Sequence, residues 1–237
     1  MKRKSIIWII SVLSLVSIGT GIILYSNEAF YRAKEKQARI TKELKEKMEQ
    51  KYGVSILNSE GYYNEEVGYA ALLTTKDDIT FDVYSRPEDP EGSVDFYKNE
   101  LWIKKGLEKW GNAEDYIPNV ESVEMSVSYK DYDDSQAAEN KRVKQLEKKI
   151  EDISDQLNIY LNVHLKTSYQ KNKALEIEKG IYDYYSFLLE NDGSSIEMMV
   201  EYEDETGTYS IQRDEYDKMP IIKNMDDITR RLEIFSP

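Results

Sequence analysis

The chain contains an uncharged, apolar run of 21 residues near its N-terminus, Ser5–Tyr25, with the sequence SIIWIISVLSLVSIGTGIILY. The basic stretch Met1–Lys4 precedes it. A helix rises about 1.5 Å per residue, so a run of this length spans roughly 30 Å, the thickness of a bilayer's hydrocarbon core. The run therefore predicts a membrane-spanning helix, with the lipid bilayer as the first partner of the chain.

A cleaved secretory signal is the alternative interpretation of this run. In that interpretation Ile6–Val16 is the apolar core of the signal and Ser17–Gly19 is a small-residue cleavage site. Apolar residues resume after Gly19, however, and Tyr25 lies where an interfacial aromatic residue is expected. These two features favour an uncleaved anchor. A lipid-modified cysteine is excluded as an anchor because the chain has no cysteine.

Charges beside the run predict its orientation. Lys2, Arg3 and Lys4 favour a cytoplasmic N-terminus, since short basic tails are retained inside. The far flank is also basic, but a long domain crosses a membrane largely regardless of its charge. We therefore expect a single-pass protein of the cell membrane, with residues 1–4 in the cytoplasm and the rest of the chain after residue 25 outside the cytoplasm.

The composition outside the anchor is that of a globular protein. Hydrophobic residues make up 40 % of the chain and charged residues 32 %, which is sufficient for a packed core. The formal net charge of −13 argues against a nucleic-acid partner, because nucleic-acid binding requires clustered Lys and Arg. The absence of cysteine excludes disulfides, thiolate metal sites and thiol nucleophiles.

A polar helix is expected to follow the anchor as a stalk over residues 26–52. Its narrow apolar stripe predicts packing against the chain's own domain or against a partner helix; the stripe consists of Phe30, Ala33, Ile40, Leu44 and Met48. Gly53 is the expected end of this helix, because glycine readily adopts the conformation that terminates helices.

Hydrophobic periodicity predicts α+β structure in the remainder of the chain. In residues 53–130 we expect a three-stranded antiparallel meander, a loop, a helix capped by Ser93 and a fourth strand, with the ranges Val54–Ser59, Val67–Thr75, Asp78–Ser85, Arg86–Gly92, Val94–Trp110 and Val120–Tyr129. In residues 131–237 we expect a helix, a strand, a helix, a hairpin and a closing helix, with the ranges Ala137–Leu157, Asn158–Tyr169, Lys171–Glu190, Ile196–Tyr202, Thr208–Arg213 and Asp226–Ile234.

This order of elements predicts two small antiparallel or mixed sheets, each backed by helices. The expected boundary between the two α+β subdomains, 53–130 and 131–237, lies at the acidic turn Lys130–Ser135. One continuous sheet shared by both subdomains is the alternative.

Two stretches resemble uncharacterised, membrane-anchored extracytoplasmic proteins of low-GC Gram-positive bacteria, such as Bacillus-like hypothetical proteins. The first is Lys76–Trp110, in which an acidic turn, an Ile-x-Phe-x-Val strand and a loop lead into a helix that bears tryptophan. The second is Lys173–Leu232, which contains KALEIEKGIYDYYSFLLENDG, a hairpin and an acidic final segment. The resemblance implies an envelope location and this architecture, and it implies no site.

Serine-hydrolase and metal chemistry have little support in the sequence. His164 is the only histidine, it is predicted on the polar face of a strand, and no Gly-x-Ser-x-Gly motif supplies a nucleophile. The acidic group Asp131, Asp133 and Asp134 resembles the start of a calcium loop, but Gln136 stands where the EF-hand requires glycine. The acidic cluster Glu203–Glu205 is expected to be a solvated hairpin turn. No catalytic, cofactor-binding or metal-binding residue is predicted.

Two other possibilities stay open at this point. A pair of carboxylates could support glycoside hydrolysis, although periodicity cannot select a pair among 45 acidic residues. Tyr62–Tyr63 and Tyr182–Tyr185 could form a platform for sugar stacking, although tyrosines at such spacings more often pack in a core.

The sequence as a whole favours a non-catalytic binding or interaction module that is tethered outside the cytoplasm. Its partner is expected to be a protein or a small ligand of the cell envelope. A carboxylate-dependent envelope hydrolase and a structural subunit of a membrane complex are the alternatives.

Overall fold

The computed structural model of the chain describes residues 33–86, 89–130, 136–203 and 207–234. The predicted tail 1–4 and the predicted anchor Ser5–Tyr25 lie outside these residues. In the part of the chain that is described, no helix is both long and apolar enough to cross a membrane.

The described residues form an α+β fold with two separate sheets, as predicted. A helix at 33–52, here α1, comes first. The remaining elements follow in the order β1 (Ile56–Asn64), β2 (Gly68–Thr75), β3 (Thr80–Arg86), β4 (Asp89–Asp95), α2 (Tyr97–Trp110), a 3₁₀ turn (Ala113–Asp115), β5 (Val120–Tyr129), α3 (Gln136–Gln145), a second 3₁₀ turn (Glu151–Gln156), β6 (Leu157–Leu165), α4 (Ala174–Glu190), β7 (Ile196–Tyr202), β8 (Gly207–Ile211), α5 (Met225–Thr229) and β9 (Leu232–Ile234).

Contacts divide the chain between Phe96 and Tyr97 into two units, unit 1 before the division and unit 2 after it. The division lies well before the boundary expected from the sequence near 130–131. The reason is that β5 pairs with β6 along its whole length, from Val120 to Tyr129, and α2 packs against β5. The predicted boundary at Lys130–Ser135 therefore does not coincide with the division, and its residues 131–135 lie outside those described.

Unit 1 is a four-stranded antiparallel meander with the strand order β1-β2-β3-β4. Helix α1 packs on one face of this sheet, with Leu44 and Met48 buried. It crosses β1 at Gly61, where a Cβ atom would lie only 2.0 Å from Thr41 Oγ1. The helix ends at Gly53, which has a φ of +68° and donates its N–H to Glu49 O at 2.9 Å. The predicted end is therefore observed, and Leu44 and Met48 of the predicted stripe are buried, whereas Ala33 is exposed and Phe30 lies outside the described residues.

Strand β4 corrects the prediction for residues 86–95. Arg86–Gly92 is predicted as a loop because it contains two prolines and a glycine, and Ser93 is predicted as a helix cap. In the structure Ser93 pairs with Ser85 and Val94 pairs with Tyr84, so both residues belong to a strand. An edge strand pairs on one side only and can therefore accommodate proline. Helix α2 accordingly begins at Tyr97 rather than at Val94.

Unit 2 is a five-stranded mixed sheet with the order β5-β6-β7-β8-β9, in which only β6 and β7 are parallel. Helix α4 connects these two strands, as a parallel pair requires a crossover. Inward side chains of the strands pack with α2 and α4 in one hydrophobic core, which includes Trp102, Trp110, Met125, Val127, Ile159, Leu161, Val163, Ile181, Tyr184, Leu188, Met198, Val200, Tyr209 and Ile211. The opposite face of the sheet carries polar residues such as Ser122, Asn162 and His164, together with Tyr160 and Met199.

Two predicted helices of unit 2 are partly wrong. The helix predicted over Ala137–Leu157 ends at Gln145 and is followed by turns and a 3₁₀ segment. The Lys105 ammonium group donates to the carbonyls of Leu146 and Lys148, at 2.6 and 2.8 Å, and so satisfies acceptors that a continuous helix would have used.

The closing helix predicted over Asp226–Ile234 is α5 followed by a strand. Leu232 pairs with Tyr209 and Ile234 pairs with Gly207, so β9 extends the sheet at the edge of β8. Leu175, predicted on the core side of α4, is 63 % exposed.

Candidate ligand-binding cleft

His164 lies on the polar face of the unit 2 sheet, as its alternation in β6 predicts. Its Nδ1 is 3.3 Å from Glu201 Oε2 on β7, and its Nε2 is 3.8 Å from Glu124 Oε2 on β5. Ser122, His164 and Glu201 occupy matching register positions on three adjacent strands. These are the residue types of a serine-hydrolase triad.

These three residues do not make the contacts of a catalytic triad. His164 Nε2 is buried and has no hydrogen-bond partner, whereas a triad requires it to contact the serine hydroxyl. Glu201 contacts the other ring nitrogen, which is the orientation that a triad would need. The row is thus a histidine held between two carboxylates, beside a serine that it does not activate in this structure.

Most of the acidic residues weighed from the sequence lie outside the part of the chain that the structure describes. Asp131, Asp133 and Asp134 lie outside the described residues, and so do two of the three residues of the acidic hairpin turn. Among the residues that are described, no group of three or more His, Asp or Glu side chains could hold a metal ion.

The tyrosines of the predicted platforms serve mainly in packing. Tyr184 and Tyr185 are buried in the core of unit 2, and the hydroxyl of Tyr184 donates to Trp110 O. Burial raises the pKa of both hydroxyls. In unit 1 the Tyr62 hydroxyl donates to Asp82 Oδ1 at 2.7 Å, and Tyr63 is 62 % exposed. One exposed ring does not form a stacking platform.

A buried carboxylate lies in the core of unit 2. Glu178 on α4 is 5 % exposed and accepts hydrogen bonds from the hydroxyls of Tyr209, at 3.2 Å, and Thr229, at 2.9 Å. Burial raises the pKa of the Tyr209 hydroxyl, which also faces Tyr202 and Glu178. This cluster joins α4, β8 and α5, and Glu178 does not line the clefts at Arg213, Gly180 or Lys105.

Replacing Glu178 with leucine is expected to destabilise unit 2 by about 2 kcal/mol, because the buried Tyr209 hydroxyl loses its carboxylate acceptor. The measurement is urea unfolding of the detergent-solubilised full chain, followed by the fluorescence of Trp102 and Trp110. Glu176→Leu is the matched control on the exposed side of α4 and should change the stability by less than about 0.5 kcal/mol. Equal effects of the two substitutions would show that the cluster has no structural role.

A cleft of about 590 Å³ lies in unit 2 and is here called the basic cleft. Strands β8 and β9, the loop between β8 and α5, and the end of α5 form its walls. Its lining consists of Ser210, Gln212, Arg213, Asp214, Lys218, Met219, Pro220, Ile221, Arg230, Arg231 and Glu233. A volume of this size is typical of sites for small ligands.

Arg213 fixes one wall of the basic cleft. Its side chain is 13 % exposed, its Nε lies 3.3 Å from Glu197 Oε1, and its Nη2 donates to Ser195 O at 2.9 Å. Its Nη1 lies 3.3 Å from Asp217 Oδ1. Because these contacts occupy the guanidinium group, Arg213 is a structural part of the wall.

Lys218 and Arg231 differ from Arg213 in having no carboxylate within 4.0 Å among the described residues. Arg231 Nη1 donates to Ser210 O at a long 3.4 Å, and its buried Nε has no hydrogen-bond partner. The positive charge of Arg231 also partly offsets the rise that burial causes in the pKa of Tyr185. The fourth cation, Arg230, is 76 % exposed and pairs with Asp227 at 3.6 Å.

Two acidic side chains share this lining. Asp214 Oδ1 accepts the N–H groups of Tyr216 and Lys218, both at 2.9 Å, and thereby shapes the loop. Glu233 is exposed on β9. Met219, Pro220 and Ile221 form an apolar part of the wall, and Ile221 is 77 % exposed. The cleft therefore combines a fixed arginine, an apolar wall and two cations that have no acidic partner among the residues described.

Sequence reasoning missed the basic cleft. Its cations are separated along the chain, and the segment that carries Arg230 and Arg231 is predicted as a continuous helix. The pairing of β9 with β8 brings Arg231 beside Ser210, and no local pattern indicates this pairing. One sequence feature could have indicated the cleft: Arg and Lys residues recur after residue 212 in a chain that is acidic overall.

No protein-family model, curated protein or solved structure matches this chain.

Proposed function

We propose that the chain is a non-catalytic binding module that the segment Ser5–Tyr25 tethers to the cell membrane, with its α+β units outside the cytoplasm, and that unit 2 binds its ligand in the basic cleft. The cleft is the observation that carries this proposal. It is concave, and two of its cations have no acidic partner within the part of the chain that the structure describes.

The length of the apolar run Ser5–Tyr25 supports the membrane tether. An apolar run of 21 residues is sufficient to cross a bilayer, and the basic residues before it favour a cytoplasmic N-terminus. In this arrangement the module acts at the cell envelope, where its partner is a small ligand or an envelope protein that presents the same chemistry.

Cysteine labelling in intact cells tests the location. The chain has no cysteine, so a single introduced cysteine is its only thiol. A membrane-impermeant maleimide should label Leu175→Cys in intact cells, because Leu175 is 63 % exposed, and should label Lys2→Cys only after permeabilisation. Labelling of Leu175→Cys only in broken cells would contradict an extracytoplasmic module.

A hydrolase is the second candidate; Ser122, His164 and Glu201 supply the residue types on adjacent strands, without a hydrogen bond from the serine to His164 among the described residues. This candidate predicts that the full chain cleaves an envelope ester or amide and that Ser122→Ala abolishes the cleavage. Retained cleavage in Ser122→Ala would exclude the row as its source. A structural subunit, the third candidate, would lose its function when Ser5–Tyr25 is replaced by an unrelated anchor.

A further inference from the structure

We propose that the ligand of the basic cleft is a phosphomonoester, held through its phosphoryl group by Lys218 and Arg231. This inference rests on the proposed binding function and names the chemical class of the ligand.

The first step is the charge of the two cations. Arg213 pairs with Glu197 at 3.3 Å and Arg230 with Asp227 at 3.6 Å, whereas Lys218 and Arg231 have no carboxylate partner among the described residues. A phosphomonoester carries about −1.5 to −2 charges at pH 7 and so matches two cations, whereas a carboxylate carries one.

The second step is the geometry of the donors. The Arg231 guanidinium makes one long hydrogen bond, from Nη1 to Ser210 O, so apart from its buried Nε it has donors left for an oxyanion. Arginine recognises phosphate with a planar fork of N–H groups, and lysine contributes a flexible point charge. Lys218 is exposed at the cleft, so its ammonium group can adjust to the ligand.

The third step is the size and the apolar wall of the cleft. Its volume of about 590 Å³ is far greater than one phosphate group fills. Met219, Pro220 and Ile221 provide an apolar surface for the organic part of the ligand. An ester, rather than inorganic phosphate, therefore fits the whole cleft.

The carboxylates of Asp214 and Glu233 repel an anion in the cleft. Removing one of these negative charges should therefore strengthen ligand binding, whereas removing a positive charge should weaken it. Asp214 shapes the loop through backbone hydrogen bonds and is unsuitable for substitution. Glu233 is exposed and has no ion pair among the described residues. Its neutralisation removes repulsion without disturbing an observed contact.

The experiment is a titration of the detergent-solubilised full chain with phenyl phosphate, benzoate and phenol, followed by ligand-observed proton NMR. We expect phenyl phosphate to bind more tightly than benzoate, and benzoate more tightly than phenol. Lys218→Gln and Arg231→Gln should each weaken the binding of phenyl phosphate about tenfold, as expected for loss of one charge-assisted contact. Glu233→Gln should strengthen it about twofold.

Lys171→Gln is the matched control, since Lys171 is exposed in unit 2 away from the cleft lining. Arg231→Lys should recover part of the affinity lost in Arg231→Gln, and an unchanged unfolding midpoint shows that each variant is folded. Equal affinity for the three probes, or equal effects of Lys218→Gln and Lys171→Gln, would overturn the inference. Either result would leave the proposed binding function standing, because occupancy of the cleft in cells tests that function separately.

A second arm distinguishes two sources of the same chemistry. The titration is repeated in nanodiscs of neutral lipid and in nanodiscs that contain phosphatidate, a phosphomonoester lipid. Weaker binding of phenyl phosphate in the nanodiscs that contain phosphatidate would assign the site to a lipid headgroup. Equal binding in both kinds of nanodisc would assign it to a soluble ester.

Discussion

Replacing Gly180 by alanine is expected to destabilise unit 2 by about 2 kcal/mol or more, although alanine is the better helix former. A Cβ atom at this position of α4 would lie 2.6 Å from Tyr116 O and 2.9 Å from Ile117 Cα. Both are backbone atoms. The Tyr116 ring is also packed against Phe187, at 5.1 Å between ring centroids, so the segment cannot move away without losing contacts.

Gly106→Ala in α2 is the matched control for Gly180→Ala. Its Cβ would lie 2.2 Å from Met125 Sδ, an atom near the end of a flexible side chain. Met125 can turn aside, so this substitution should cost less than the one in α4. Urea unfolding, followed by tryptophan fluorescence, measures the stability of both variants. A larger loss of stability in Gly106→Ala than in Gly180→Ala would show that α4 does not require its close approach to residues 116–118.

Replacing Leu161 by alanine is expected to destabilise unit 2 by about 3 kcal/mol. Leu161 lies in β6, is fully buried, and is flanked by Met125 on β5 and Met198 on β7. The substitution removes buried methyl groups and leaves a cavity in the centre of the sheet. Both tryptophans of the core remain as fluorescent probes.

Leu175→Ala tests the same chemical change at an exposed position. Leu175 is 63 % exposed on α4, so its truncation should change the stability by less than about 0.5 kcal/mol. A similar loss in both variants would mean that Leu161 is not part of a tightly packed core.

Regular alternation made much of the fold predictable. The alternation of apolar and polar residues predicts β5 and β7 with their observed bounds, and it places His164 on the polar face of β6. In these strands one face is buried, so the local pattern and the tertiary structure agree. The end of α1 at Gly53 is equally local, because it depends on one residue with a positive φ.

The elements that sequence reasoning missed depend on distant partners. Strand β4 contains proline and exists because β3 offers it an edge. Strand β9 continues a helical pattern, but its pairing with β8 overrides this preference. The break after Gln145 depends on Lys105, which lies in another helix. The basic cleft requires the pairing of β8 and β9, and so could not be derived from local periodicity.

Occupancy of the basic cleft in living cells is the most direct test of the account. Single cysteines at Ile221, on the cleft wall, and at Leu175, outside it, are labelled with a membrane-impermeant maleimide in intact cells and in the purified full chain. We expect the ratio of the labelling rate at Ile221→Cys to that at Leu175→Cys to be several times lower in cells than in the purified protein, because a ligand covers the cleft in cells. The same ratio of rates in cells and in the purified protein would contradict it.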